Sequence, residues 1–150
     1  NNLPKSVKYN DFEAHKQVVI GSNLAGKAIN IAKTTAAHAL SYYFTANYGI
    51  KHGHAVSLFL EKVYNYNMRN LVEKEKFTDD TFKNLNKVLG IKSEQNTKII
   101  SDYISDLGIE LNFKKLDIDL SKEFNNVIKT INIRRLKNNP CEINFKNLLL

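Results

Sequence analysis

A chain of 150 residues, 43% hydrophobic and 25% charged, has enough material for one buried core and too little for two sizeable ones. No apolar run is as long as a membrane span, and the opening NNLPKSVKYND has no apolar signal core, so neither a membrane nor a secretory class is expected and a cytoplasmic setting is. The 22 basic residues exceed the 15 acidic ones by a net +7, but they are scattered, with Arg134, Arg135 and Lys137 the densest cluster. This reads as a solvated surface, not as a nucleic-acid face.

Cys141 is the single cysteine and excludes an internal disulfide; six glycines and two prolines favour long helices over many turns. Residues 1–10 read as a connector, with Asn10 or Asp11 capping a helix through FEAHKQVVIGSNLAGKAINIAK. Phe12, Val19, Leu24, Ala25 and Ile29 give it an apolar face, and Gly21 and Gly26 mark a break or a close helix contact. Gly21 to Ala28, GSNLAGKA, matches most of a phosphate-binding loop. Ala28 stands where that loop needs a hydroxyl, and the chain has no alternating strands and helices, so a helix is expected there.

A second helix fits Thr34 to Thr45, capped by Thr34 or Thr35, and NYGIK is a loop with Gly49 free to take a positive φ. A third starts near His52, with Val56, Phe59, Leu60 and Val63 on its apolar face. Thr78 and Gly90 bracket the next helix, with Asp79 and Asp80 in its first turn. Ser93 and Gly108 bracket another, with Ile99, Ile100, Tyr103, Ile104 and Leu107 as its buried stripe. IELNFKKLDI is the one segment open to an extended reading; Ser121 to Ile131 is amphipathic; NIRRLKNNP ends in a turn; Asn144 caps a short last helix. The expected fold is all-α, a bundle of six to eight helices.

Three of the four histidines lie in the stretch Thr34 to Leu60. His38 and His52, 14 residues apart, would stand about 21 Å apart on one helix, too far to share a metal. With a glycine loop between them, two antiparallel helices bring both imidazoles to one point, as zinc or ferrous iron requires. The competing reading is two histidines satisfied in a core. His54 points away from His52 and is expected at the surface or behind the ligands, and His15 at the surface. Cys141 reads as an inert thiol, and Asp79, Asp80, Asp117 and Asp119 as cap and loop residues.

Leu24 to Leu58, LAGKAINIAKTTAAHALSYYFTANYGIKHGHAVSL, resembles the metal-site region of the iron-containing alcohol dehydrogenases, in the superfamily of glycerol dehydrogenase and dehydroquinate synthase. INIRRLKNNP, Ile131 to Pro140, is similar to a second segment of some members. The resemblance implies that residues 1–150 are a single helical, metal-binding domain, the C-terminal partner of an N-terminal α/β domain that binds NAD or NADP and is absent from this chain. It implies His38 and His52 as ligands to a divalent metal, Fe2+ or Zn2+, with the other ligands on the missing domain.

Tyr42 stands four residues after His38, where some members carry another active-site histidine, and is taken as the catalytic-position residue; Tyr48 is expected to help shape the pocket. Lys51 replaces a usual proline before His52. The implied substrate is a small alcohol or aldehyde, with phosphonoacetaldehyde among the aldehydes reduced by the most similar branch. The isolated chain is expected to be inactive. A homo-oligomer is compatible with this reading, whereas nucleic acid and membrane are not expected partners. The alternative is a non-catalytic helical interaction module with structural histidines.

Overall fold

The computed structural model describes residues 2–72, 79–90 and 98–149, with backbone alone for 72 and 79–83. Among these residues all regular structure is helical: α1 (Asn2–Tyr9), α2 (Phe12–Ala32), α3 (Ala36–Tyr48), α4 (His52–Val72), α5 (Asp79–Leu89), α6 (Ile99–Asp106), α7 (Leu120–Thr130), α8 (Ile133–Leu136) and α9 (Phe145–Leu149). The fold is the all-α bundle expected. It holds more helices than six to eight because residues 1–10 form α1 instead of a connector and NIRRLKNNP contains the single turn α8. The segment open to an extended reading contains a 3₁₀ turn, Phe113–Leu116. The expected caps Thr78 and Ser93 lie outside the described residues.

The chain divides into two compact units, Asn1–Thr34 and Thr35–Leu150. In the first, α1 packs on α2. The Asp11 carboxylate accepts the Ala14 N–H at 2.9 Å, capping the free amides of the first turn. Ser6 Oγ and Nδ1 of the exposed His15 lie 3.1 Å apart. Helix α2 runs unbroken through Gly21 and Gly26, so GSNLAGKA is helical and offers no phosphate cradle. Within this unit α1 covers Ala14 and leaves Phe12, Val19, Leu24 and Ile29 of the apolar face exposed.

In the second unit the core forms where α3, α4 and α7 meet. Phe44, Phe59, Leu40, Ile118 and Val127 are almost wholly buried. Phe44, Phe59 and Phe113 make a triangle of rings, with centroids 5.2, 5.7 and 5.5 Å apart. Each fully buried phenylalanine contributes about 1.5–3 kcal/mol by leaving water. Ala36, Ala37 and Ala39 are buried, and their small side chains let neighbours approach the first turn of α3.

Helix α3 ends at Gly49, whose φ of +64° suits a residue without Cβ. Glycines 90 and 108 end α5 and α6 with φ of +73° and +86°. Asp119 caps α7 through the amides of Ser121 and Lys122, Asn144 caps α9 through Asn147, and the exposed Asp117 ends the 3₁₀ turn just before α7. Thr35 occupies the N-cap position of α3 but makes no side-chain cap bond.

Residues 49–51 link the end of α3 to the start of α4, and the two helices pack together: Ser41 and Tyr42 meet His52, and Phe44 meets Phe59.

Candidate metal centre

His52, the first residue of α4, lies against His38, Ser41 and Tyr42 in the first half of α3. His38 Nδ1 and His52 Nε2 lie 3.2 Å apart, with ring centroids at 5.2 Å and planes inclined by 51°. Both rings are half-buried. Ser41, one helical turn after His38, donates its hydroxyl to the His38 carbonyl at 2.9 Å. Its oxygen lies 3.4 Å from His52 Nδ1. A hydroxyl already donating to a carbonyl meets that nitrogen as an acceptor, which favours the His52 tautomer protonated at Nδ1 and leaves a lone pair on Nε2, facing His38.

Tyr42 stacks on His52, with centroids 5.1 Å apart and planes 26° from parallel. The Arg135 guanidinium lies over the Tyr42 ring, 4.5 Å from its centroid, and donates to the Tyr42 hydroxyl. The order is therefore His38, His52, Tyr42, Arg135, running from half-buried to exposed. Burial first, then the neighbouring His52 and the Arg135 guanidinium, hold His38 below the usual imidazole value, so the neutral, ligand form is favoured.

The donor set suits a metal shared by two imidazoles. Zinc–imidazole bonds of about 2.0–2.1 Å at a near-tetrahedral angle separate two nitrogens by about 3.3–3.4 Å. The observed 3.2 Å lies close to that. Among the described residues no group of three or more histidine, cysteine, aspartate or glutamate side chains gathers as a metal site, and His38 and His52 stand together as a pair.

The other histidine of this stretch is occupied elsewhere. His54 Nε2 donates to the Glu110 carbonyl at 2.6 Å, fastening the start of α4 to the loop before the 3₁₀ turn. Tyr48 also lies apart from the pair. It packs with Phe44 and Tyr43 near Glu123, and burial, then Glu123, push its hydroxyl up to about 12. Cys141 is half-buried, and its thiol donates to Asn67 Oδ1 at 3.1 Å. No helix among the described residues is long and apolar enough to cross a membrane.

The residue that sequence reasoning passed over at this site is Arg135. It stood in the basic cluster and in the INIRRLKNNP segment, and neither signal pointed to Tyr42, 93 residues away.

Residues 1–149 match the profile described as Fe-containing alcohol dehydrogenase family, C-terminal. The chain is 44% identical over 59 residues to a 4-hydroxybutyrate dehydrogenase of Clostridium kluyveri, a match covering 38% of this chain and 16% of that protein. It is 42% identical over 43 residues to a phosphonoacetaldehyde reductase of Streptomyces viridochromogenes, covering 29% of this chain and 11% of that protein. The matches thus span less than a fifth of either relative. No solved structure matches the chain.

Proposed function

Because this chain belongs to the Fe-containing alcohol dehydrogenase family, as its C-terminal part, we propose that it is the metal-bearing half of an NAD(P)-dependent alcohol dehydrogenase or aldehyde reductase. The observation that carries this reading is the 3.2 Å approach of His38 Nδ1 to His52 Nε2. In the proposed enzyme these two nitrogens hold a divalent metal, iron or zinc, from the helical side, and an N-terminal nucleotide-binding domain supplies the remaining ligands and the NAD or NADP site. The metal, when bound, supplies Lewis acidity toward the substrate oxygen. The nicotinamide supplies the hydride chemistry.

The chain's own residues hold and position. Ser41 favours the tautomer that aims His52 Nε2 at the shared point. Tyr42, proposed as the catalytic-position residue, backs the His52 ring and so limits its rotation. Its hydroxyl, which accepts from Arg135, keeps its own proton to donate. The substrate class is a small alcohol or aldehyde. The two relatives are named for 4-hydroxybutyrate and phosphonoacetaldehyde, which share a short carbon chain with an oxygen function at one end and an anionic group at the other.

A second reading has its own support: each histidine already has a protein partner, as in a helical interaction module with structural histidines. Metal analysis of the full-length protein separates the two. One bound iron or zinc per chain, lost in both His38→Ala and His52→Ala with the fold retained, is the expected result. A full-length protein that takes up no metal under reducing, metal-replete conditions ends the dehydrogenase reading.

A further inference from the structure

The stack that begins at the histidine pair ends on a cation, and that cation faces solvent. Arg135 is exposed, as is Tyr42 at 38% of its surface. Among the described residues no carboxylate forms an ion pair with Arg135; the described pairs include Lys16 with Glu13, Lys115 with Glu110 and Lys122 with Asp119. Its contacts are the face and hydroxyl of Tyr42, which hold the guanidinium plane in place without neutralising it. A guanidinium held in this way presents a fork of N–H donors suited to bidentate capture of a carboxylate or phosphonate. Two ring-stacking steps, 4.5 and 5.1 Å, separate it from His52.

From this geometry we infer that Arg135 is a specificity-determining residue that binds the anionic end of a short substrate whose oxygen end lies at His38 and His52. The inference rests on the proposed dehydrogenase reading and narrows its substrate class to alcohols and aldehydes with a remote carboxylate or phosphonate. Tyr42 sets the spacing between the two ends, with its ring in contact with both His52 and Arg135. Arg134, one residue earlier, makes no described contact with Tyr42, so it serves as a control of equal charge.

The test uses the full-length protein and its Arg135→Gln, Arg135→Lys and Arg134→Gln variants, each checked for retained helicity. The kinetic measure is the ratio of kcat/KM for 4-hydroxybutyrate to that for 1-butanol, its uncharged counterpart; the phosphonate arm compares phosphonoacetaldehyde with propanal in the reverse direction. A second measure needs no turnover: equilibrium binding of butyrate and of methylphosphonate to metal-free protein.

Loss of a charge-assisted bidentate contact lowers the ratio by about 10- to 100-fold in Arg135→Gln. Anion binding falls in parallel, Arg135→Lys restores part of both, and Arg134→Gln keeps both. Whichever arm shows the larger loss identifies the anion. Retention of either the ratio or the anion affinity in Arg135→Gln overturns the assignment. A wild-type protein that oxidises both alcohols with equal efficiency also overturns it while leaving the dehydrogenase reading intact; one that turns over none of the substrates counts against that reading itself.

Discussion

Asn67 on α4 and Asn139 in the turn after α8 exchange two amide hydrogen bonds, 3.1 and 2.7 Å long, across 72 residues of chain. Both side chains are buried. The Asn139 amide also donates to the Cys141 carbonyl at 2.8 Å, and the Cys141 thiol donates to Asn67. The pair ties the C-terminal segment to the last two turns of α4. Removing one partner leaves the other buried and unsatisfied, at about 1–3 kcal/mol. Asn67→Ala and Asn139→Ala should each lower stability by that amount in urea unfolding. The double variant should cost clearly less than their sum, because the second change removes a group already stranded by the first. Additive effects would show that the two amides act independently.

The ring triangle predicts a graded response. Phe44 and Phe59 are completely buried and Phe113 is half-buried at the edge of the core. Truncating a wholly enclosed phenylalanine removes its transfer energy and leaves a cavity, about 3–5 kcal/mol together. Phe44→Ala and Phe59→Ala should each lose that much, and Phe113→Ala less, because solvent already reaches one side of its ring. Phe44 is three residues from Ser41 on α3. Its truncation should therefore also broaden the NMR signals of His52, whereas an unperturbed His52 would mean that the core and the histidine pair are mechanically separate.

Local chemistry made much of this fold readable. Asn144 caps the helix it was expected to cap, Asp11 is the one of the two candidates Asn10 and Asp11 that caps α2, and Asp119, read as a cap or loop residue, caps α7, because a cap needs only its own next turn. Gly49, Gly90 and Gly108 end helices for the same local reason. Periodicity was less complete. It identified apolar faces, but Leu60 and Tyr103, placed on buried stripes, are 41% and 42% exposed, since a face is buried only where a neighbour covers it. The stronger signal for His38 and His52 as a metal pair was not their spacing, which alone favours two histidines satisfied in a core. It came from the residues around them. The arrival of Arg135 on Tyr42 depends on packing between segments 93 residues apart and left no local trace.

The lowered pKa of His38 has a consequence for stability. Burial, His52 and the Arg135 guanidinium all disfavour the imidazolium in the folded protein, while the unfolded chain keeps a value of about 6.5. The unfolded state therefore binds the extra proton first, and protonation pulls the equilibrium toward it. In metal-free protein, stability should be constant above the unfolded value, fall as pH drops through it, and level off below the folded value. His38→Gln, which cannot take the charge, should flatten that part of the profile. Thermal unfolding between pH 7.5 and 5 of the two proteins side by side isolates the term, since Glu123 and other depressed carboxyls titrate equally in both. Parallel profiles would mean that His38 titrates alike in both states.

Helix α6 takes its N-terminal cap from another helix. Lys98, at the N-cap position, makes no side-chain cap bond. Glu61 on α4 fills the role, accepting the Ser101 N–H at 2.8 Å on one carboxylate oxygen and the Ser101 hydroxyl at 3.0 Å on the other. A negative charge at a helix N-terminus also complements the partial positive charge of the unpaired amides there. The contact thus joins α4, whose first residue is His52, to α6 through a single side chain. Glu61→Ala should destabilise the protein by about 1–3 kcal/mol, with Glu61→Gln intermediate because it keeps one acceptor and loses the charge. The more specific measure is hydrogen exchange at the Ser101 amide, which should accelerate sharply in Glu61→Ala while the amides in the middle of α4 stay protected. Equal acceleration along both helices would mean that Glu61 supports the bundle as a whole and not the first turn of α6.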